Sequence, residues 1–195
     1  LLKELKKEYK NFNLDVMTVF SNKNQDRIEE IFKYFNKIGI DHHYLGLIRS
    51  DSKEKKLADI SIEKYEKMLE WIRDNYEDKE NRPFKNVFVA LDKLNEDVTI
   101  KTYKKGYNLR CFAGKKLIII NEEGEVYPCE LLNKSFGNLR DYDYDINKIL
   151  NTEEAKNIKR FIKDSKCYCT WGCSNFINII YNVKMYPKLI SKIIK

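Results

Sequence analysis

The side chains best equipped for chemistry in this sequence are five cysteines. All of them lie between Cys111 and Cys173, and the first 110 residues contain none. Cysteines used only as packing hydrophobes would not segregate in that way. Seventeen residues separate Cys111 from Cys129; after a long gap Cys167 and Cys169 stand one residue apart, and three more residues lead to Cys173. Gly124 precedes Cys129 with four residues between them. In a reducing compartment thiols serve as metal ligands rather than disulfides, and an odd count cannot pair fully. The pattern reads as a cysteine-ligated metal site, with an iron–sulfur cluster as the first expectation.

Four thiolates are the protein complement of a cubane cluster and equally of a structural zinc. Zinc ribbons pair two tight knuckles, and a first pair seventeen residues apart departs from that arrangement. Buried free cysteines are the ordinary fate of this residue, but that reading leaves the segregation unexplained. Local geometry places the ligands. Lys116 to Ile120 and Glu125 to Cys129 flank Asn121-Glu122-Glu123-Gly124, the pattern of a β-hairpin with a left-handed glycine. Cys129 then faces about Lys116 and Cys111 lies further out, so the chain must curl back near Ala113-Gly114 to share one site. In an extended segment Cys167 and Cys169 point to opposite sides, so one of the two is expected to be spare. Cys173 is expected to be the surer ligand of that loop.

Elements with helical and strand patterns must hold these groups. Leu14 to Phe20 reads as a strand, the Ile28, Ile31, Phe32, Phe35 and Ile38 face as a helix stopped by Gly39, and His43 to Ile48 as a second strand. This is a βαβ unit, which requires parallel strands. His42 and His43 alternate faces, so one of them should pack inside. Ser61 suits an N-cap for a helix carrying Ile62, Tyr65, Leu69, Ile72 and Tyr76, and Asp78 to Pro83 breaks the pattern. Phe84 to Tyr103 reads mostly as helix, although Val98 to Tyr103 has strand propensity. Gly106 marks a boundary that divides the chain into 1–105 and 106–195. Beyond it, Asn151 and Glu154 suggest a capping box for a helix burying Ala155, Ile158, Phe161 and Ile162.

At 195 residues and 43% apolar composition the chain can bury a conventional core. No apolar run approaches the roughly 20 residues that span a bilayer, no secretory signal is seen, and the expected compartment is the cytoplasm. The formal charge of +7, from 37 Lys and Arg against 30 Asp and Glu, is spread over the chain as a solvated surface, so nucleic acid is not the expected partner. The sequence begins at Leu1, inside a helical pattern, as a piece of something longer would.

Three phrases resemble a known family: Gly124-Glu125-Val126-Tyr127-Pro128-Cys129-Glu130, then Gly137-Asn138-Leu139-Arg140, then the loop from Cys167 to Cys173 that contains Trp171 and Gly172. Together with Cys111, and over Cys111 to Asn182, they are similar to the auxiliary-cluster domain, of SPASM or shorter Twitch type, of radical S-adenosylmethionine (radical SAM) enzymes. The resemblance implies an α/β fold, in which the C-terminal part of a partial (βα)6 barrel precedes a small α+β cluster domain. It implies one auxiliary [4Fe-4S] cluster on Cys111, Cys129, Cys173 and either Cys167 or Cys169. It further implies radical modification of a peptide or sugar-like small molecule, with a reductant such as ferredoxin or flavodoxin. Ser21, Asn22, Arg49 and Ser50 would lie at strand ends, and Arg49 is the candidate contact for cofactor or substrate. The family's CxxxCxxC motif, whose second cluster binds S-adenosylmethionine, is missing before Cys111, so this chain alone is expected to be inactive. A zinc-stabilised binding module and a non-catalytic electron carrier are the alternative readings.

Overall fold

The computed structural model describes residues 2–9, 11–49, 51–76 and 83–194. By compactness the chain falls into two units, Leu1–Phe88 and Val89–Lys195.

In the first unit, α1 (Leu2–Glu8) precedes two parallel strands, β1 (Asp15–Phe20) and β2 (His42–Leu47), joined through α2 (Ile28–Ile38). Pairing runs from Asp15 opposite His42 to Phe20 opposite Leu47. Parallel neighbours need a crossover, and α2 supplies it while burying Ile28 and Phe32. The helix ends at Gly39, whose N–H bonds the Phe35 and Asn36 carbonyls. Asp41 then accepts the Leu14 N–H at 2.8 Å and pairs with Lys6 at 2.5 Å, which ties the starts of both strands together. A further helix, α3 (Ile62–Asn75), begins at Ser61, whose hydroxyl oxygen accepts the Lys64 N–H. It buries Ile62, Tyr65 and Leu69, and the Tyr65 hydroxyl donates to the Leu45 carbonyl at 3.1 Å. The Asp78 end of the expected break lies outside the described residues.

The next helix, α4 (Lys85–Lys105), takes in the stretch with strand propensity. Leu91, Leu94, Val98 and Thr102 come round on one buried face of it. Burying that stripe outweighs the modest helix penalty of β-branched residues, about 0.5 kcal/mol each. Its C-terminal end is marked by the Gly106 N–H bonding to the Thr102 carbonyl, close to the sequence-drawn boundary; compactness divides the chain nearer the start of the helix.

The second unit holds a small antiparallel sheet in the order β3 (Ile119–Ile120), β4 (Glu125–Tyr127), β5 (Gly137–Asn138). Four helices follow: α5 (Ile146–Leu150), α6 (Glu153–Asp164), α7 (Gly172–Ile180) and α8 (Tyr186–Ile194). Between β3 and β4 the Gly124 N–H bonds the Asn121 carbonyl, and Asn121 Oδ1 accepts the N–H groups of Glu123 and Glu125. The strands are shorter than the sequence reading drew them. The Gly114 N–H takes the carbonyls of Leu117 at 2.7 Å and Pro128 at 3.2 Å, so the chain before β3 forms a tight turn rather than more ladder.

The core of this unit gathers Ala113, Val126, Cys129, Phe136, Ile149, Ala155, Ile158 and Ile162, with Cys111, Cys167 and Trp171 packed against it. Two details of α6 differ from expectation. Its N-cap is Thr152, whose oxygen accepts the Ala155 N–H, because Asn151 is already the C-cap of α5 and bonds back to the Asn147 carbonyl. Phe161, expected in the buried face, is 45% exposed with Lys134 Nζ 5.2 Å from its ring centroid. Among the described residues no helix is long and apolar enough to cross a membrane.

Candidate metal centre

Three separate stretches of the second unit deliver thiols to one place. Cys111 lies just beyond buried Leu109 and immediately before the turn at Phe112–Lys116. That turn needs Gly114, which has φ +74° and on which a Cβ would stand 2.8 Å from the Phe136 ring. Cys129 follows the buried Pro128 at the end of β4 and is itself buried. The chain leaving α6 then bonds the Cys167 N–H to the Ile162 carbonyl and continues through Cys169 to α7.

The thiols interact with one another. The Cys111 and Cys167 thiols are coupled, and their interaction lowers the Cys111 pKa and raises that of Cys167. Burial pushes Cys169 up to about 11 and raises Cys129, and both stand close enough to Cys111 to feel its charge. Backbone amides point at three of the four sulfurs: Ala113 N–H to Cys111 at 3.5 Å, Leu132 N–H to Cys129 at 3.3 Å, and the Trp171 N–H to Cys169. Soft, half-buried thiols that accept N–H donors are the donor set a thiolate-ligated iron–sulfur cluster requires, so the residues present fit such a group. Among the described residues no group of three or more His, Cys, Asp or Glu side chains is placed to hold a metal ion.

Cys173 is exposed on the first turn of α7, and the interactions among the other four thiols do not include it. In the first unit, His43 packs inside: its ring stacks on Phe32 at 3.6 Å and its Nε2 shares a 2.8 Å hydrogen bond with the Thr18 hydroxyl. Burial, and then the neighbouring His42, lower its pKa to about 4, so it is a neutral, half-buried side chain. His42 lies against Tyr44. Arg49 follows β2 and is paired with Asp51 at 3.2 Å. Ser21 and Asn22 are engaged in local structure: the Ser21 N–H and hydroxyl both bond Asn24 Oδ1, and Asn22 Nδ2 bonds the Asp59 carbonyl. Ser50 lies outside the described residues.

Sequence reasoning passed over Ser174, Asn175 and Asn178, all buried on α7. Asn178 Oδ1 accepts the Phe112 N–H at 2.7 Å, and Asn178 Nδ2 reaches Ser174 Oγ at 3.5 Å. Asn175 Nδ2 reaches the Thr99 hydroxyl at 3.3 Å and the Cys169 carbonyl at 3.4 Å, which fixes the late cysteine loop against α4. The signal was available: three polar residues at spacings of one and three in the otherwise apolar run from Gly172 to Ile180, on a helix too hydrophobic to lie in water.

Residues 111–174 match the family model for SPASM, an iron–sulfur cluster-binding domain. No curated protein matches the chain. Among solved structures, one described as "Native anSMEcpe with bound AdoMet" shares 19% identity over 97% of this chain and 57% of its own, with a TM-score of 0.46. Another, "Native anSMEcpe with bound AdoMet and Cp18Cys peptide", shares 20% identity over 98% of this chain and 60% of its own, with a TM-score of 0.42. The chain thus spans less than two thirds of the length of these structures.

Proposed function

We propose that this chain is part of a SPASM-domain protein of the radical SAM family, and that its second unit seats an auxiliary iron–sulfur cluster on Cys111, Cys129 and two of Cys167, Cys169 and Cys173. The observation that carries this reading is the convergence of thiols from three stretches of chain inside the segment matched by the SPASM model. The seventeen residues between Cys111 and Cys129 depart from the two tight knuckles of a zinc ribbon, which favours a cluster over one tetrahedral zinc.

The residues have distinct tasks in this proposal. The Gly114 turn carries Cys111 back beside β4, Pro128 presents Cys129 from the core, and Asn175 holds the backbone of Cys169. The amides of Ala113, Leu132 and Trp171 compensate negative charge on sulfur in a site partly shielded from water. A bound cluster supplies one-electron chemistry, or a Lewis-acidic position for substrate, at a potential set by this surrounding.

In the first unit, the parallel β1–α2–β2 arrangement is compatible with the end of a (βα)6 barrel, and Arg49, beyond the C-terminal end of β2, is the proposed contact for cofactor or substrate. The chain has no CxxxCxxC motif, so cleavage of S-adenosylmethionine is assigned to residues other than these. A peptide or a sugar-like small molecule is the proposed substrate class, with a small electron-transfer protein as reductant. Anaerobic purification followed by iron, sulfide and zinc analysis and a visible spectrum tests the central reading. A brown chain with iron and acid-labile sulfide supports it; a colourless one holding one zinc overturns it.

A further inference from the structure

We propose that Asn95, Thr99 and Thr102 on α4 are positioning residues for the cluster, forming a polar rail that fixes the late cysteine loop and the segment entering Cys111. The inference rests on the cluster reading above and gives its ligand-bearing stretches a common support.

The three side chains stand four and then three positions apart, so one face of the helix carries them. Thr99 and Thr102 are buried in a helix whose other buried residues, Ala90, Leu91, Leu94 and Val98, are apolar. Each polar group meets a different part of the cysteine-bearing chain. Asn95 Nδ2 donates to the carbonyl of Gly172, the residue before Cys173, at 3.2 Å. Thr99 Oγ1 accepts Asn175 Nδ2 at 3.3 Å, and that same nitrogen donates to the Cys169 carbonyl at 3.4 Å. Thr102 Oγ1 accepts Asn108 Nδ2 at 2.5 Å, on the segment that leads into Cys111. Just past the helix, the Tyr168 ring, between Cys167 and Cys169, lies 3.4 Å from where a Cβ on Gly106 would stand. The loop from Tyr168 to Gly172 therefore runs back along α4, from Gly106 to Asn95.

These bonds end on backbone carbonyls and on asparagine amides, not on thiols. They set the path of the chain and leave the sulfurs free to bind iron. Asn95 shows that the directed bond is what the position keeps. Its Oδ1 is buried with no hydrogen-bond partner among the described residues, and an unsatisfied buried acceptor destabilises a fold. A leucine would fill the same place without that penalty, so packing alone does not account for an amide there. What the amide adds is direction, because Nδ2 fixes the height of Gly172 along the helix. Ligands that arrive from separate stretches of chain need such support, since a loosely held ligand shell binds its metal group poorly.

The test uses the whole chain loaded anaerobically with iron and sulfide, its helical content followed by circular dichroism and its reduced cluster by electron paramagnetic resonance. Asn95→Leu, Thr99→Val and Thr102→Val should keep the helical content of the wild type. Each should lose iron to a chelator several-fold faster and shift the resonance of the reduced cluster. Thr99→Ser and Thr102→Ser, which retain the hydroxyl, should restore both properties. Wild-type chelation rates and resonances in the loaded Leu and Val variants overturn the proposal. So does loss of helical content in those variants, which assigns the rail to folding instead. A wild-type chain that takes up zinc but no iron and sulfide overturns the cluster reading itself.

Discussion

The backbone N–H of Phe112 donates to Asn178 Oδ1 at 2.7 Å, which joins the residue after Cys111 to a helix face 66 positions further along the chain. The position of Cys111 therefore depends on α7, not only on the hairpin beside it. The bond couples the two ends of the cysteine-bearing segment: a change on α7 reaches the residue beside the first thiol through this part-buried hydrogen bond.

Cys129 is the thiol that the core holds most firmly, being buried after Pro128 among Val126, Phe136 and Ile158. Cys129→Ala should abolish iron binding and loosen the second unit, because structural metal sites contribute on the order of 10 kcal/mol, comparable to the stability of a whole domain. Iron per chain and protease sensitivity of residues beyond Val89 measure both effects. An Ala variant with wild-type iron and wild-type resistance removes Cys129 from the ligand set.

On the proposed cluster reading, the late loop offers three thiols for two positions. Single Ser replacements at Cys167, Cys169 and Cys173 should sort into two that lose iron and one that retains it. The spare thiol should alkylate freely in the loaded wild type, so mass spectrometry after iodoacetamide gives an independent assignment. Retention of iron by all three variants would show that the cluster does not use this loop.

What could be read in the sequence was whatever depended on local periodicity. The α2 and α3 faces, Ser61 as an N-cap and the need for a curl near Gly114 all follow from short-range pattern and reach. Val98 and Thr102 were ambiguous because propensity is weak beside tertiary burial, and the helix they join is decided by the partners of its buried face. Phe161 was placed inside because it is large and apolar, although a cation stacked on its ring satisfies it at the surface. That Ser174 and Asn178 are buried could be read from their place in an apolar helix, but the bond from Asn178 to the Phe112 N–H could not, since it joins residues 66 positions apart and leaves no local pattern.

Gly114 tests how tightly the turn is specified. An added methyl would lie 2.8 Å from the Phe136 ring and 3.4 Å from Pro128, at φ +74°. Gly114→Ala should lower stability by about 2 kcal/mol, from the left-handed backbone and the overpacked ring together. Denaturant unfolding of the loaded chain measures it, and a change below about 0.5 kcal/mol would mean that the turn relaxes without cost.

His43 gives the first unit a pH dependence whose sign is fixed by its surroundings. Its pKa is lowered from 6.5 to about 4, first by burial and then by His42. Its Nδ1 is buried with no hydrogen-bond partner among the described residues, and its ring stacks on Phe32. The unfolded chain therefore binds a proton between these two values that the folded chain refuses. Stability from neutral His43 is fully present above pH 6.5, and it falls as the pH drops toward 4. Because the side chain is only half-buried, the loss should be about 1–2 kcal/mol, less than the full shift would give. His43→Phe keeps the stacked ring and removes the titration, so the difference in urea stability between wild type and variant should shrink or reverse in the wild type's disfavour from pH 7.5 to 4.5. Parallel curves for the two proteins would mean that His43 is protonated in the fold, and with it the stacked, desolvated placement beside Phe32 would have to be abandoned.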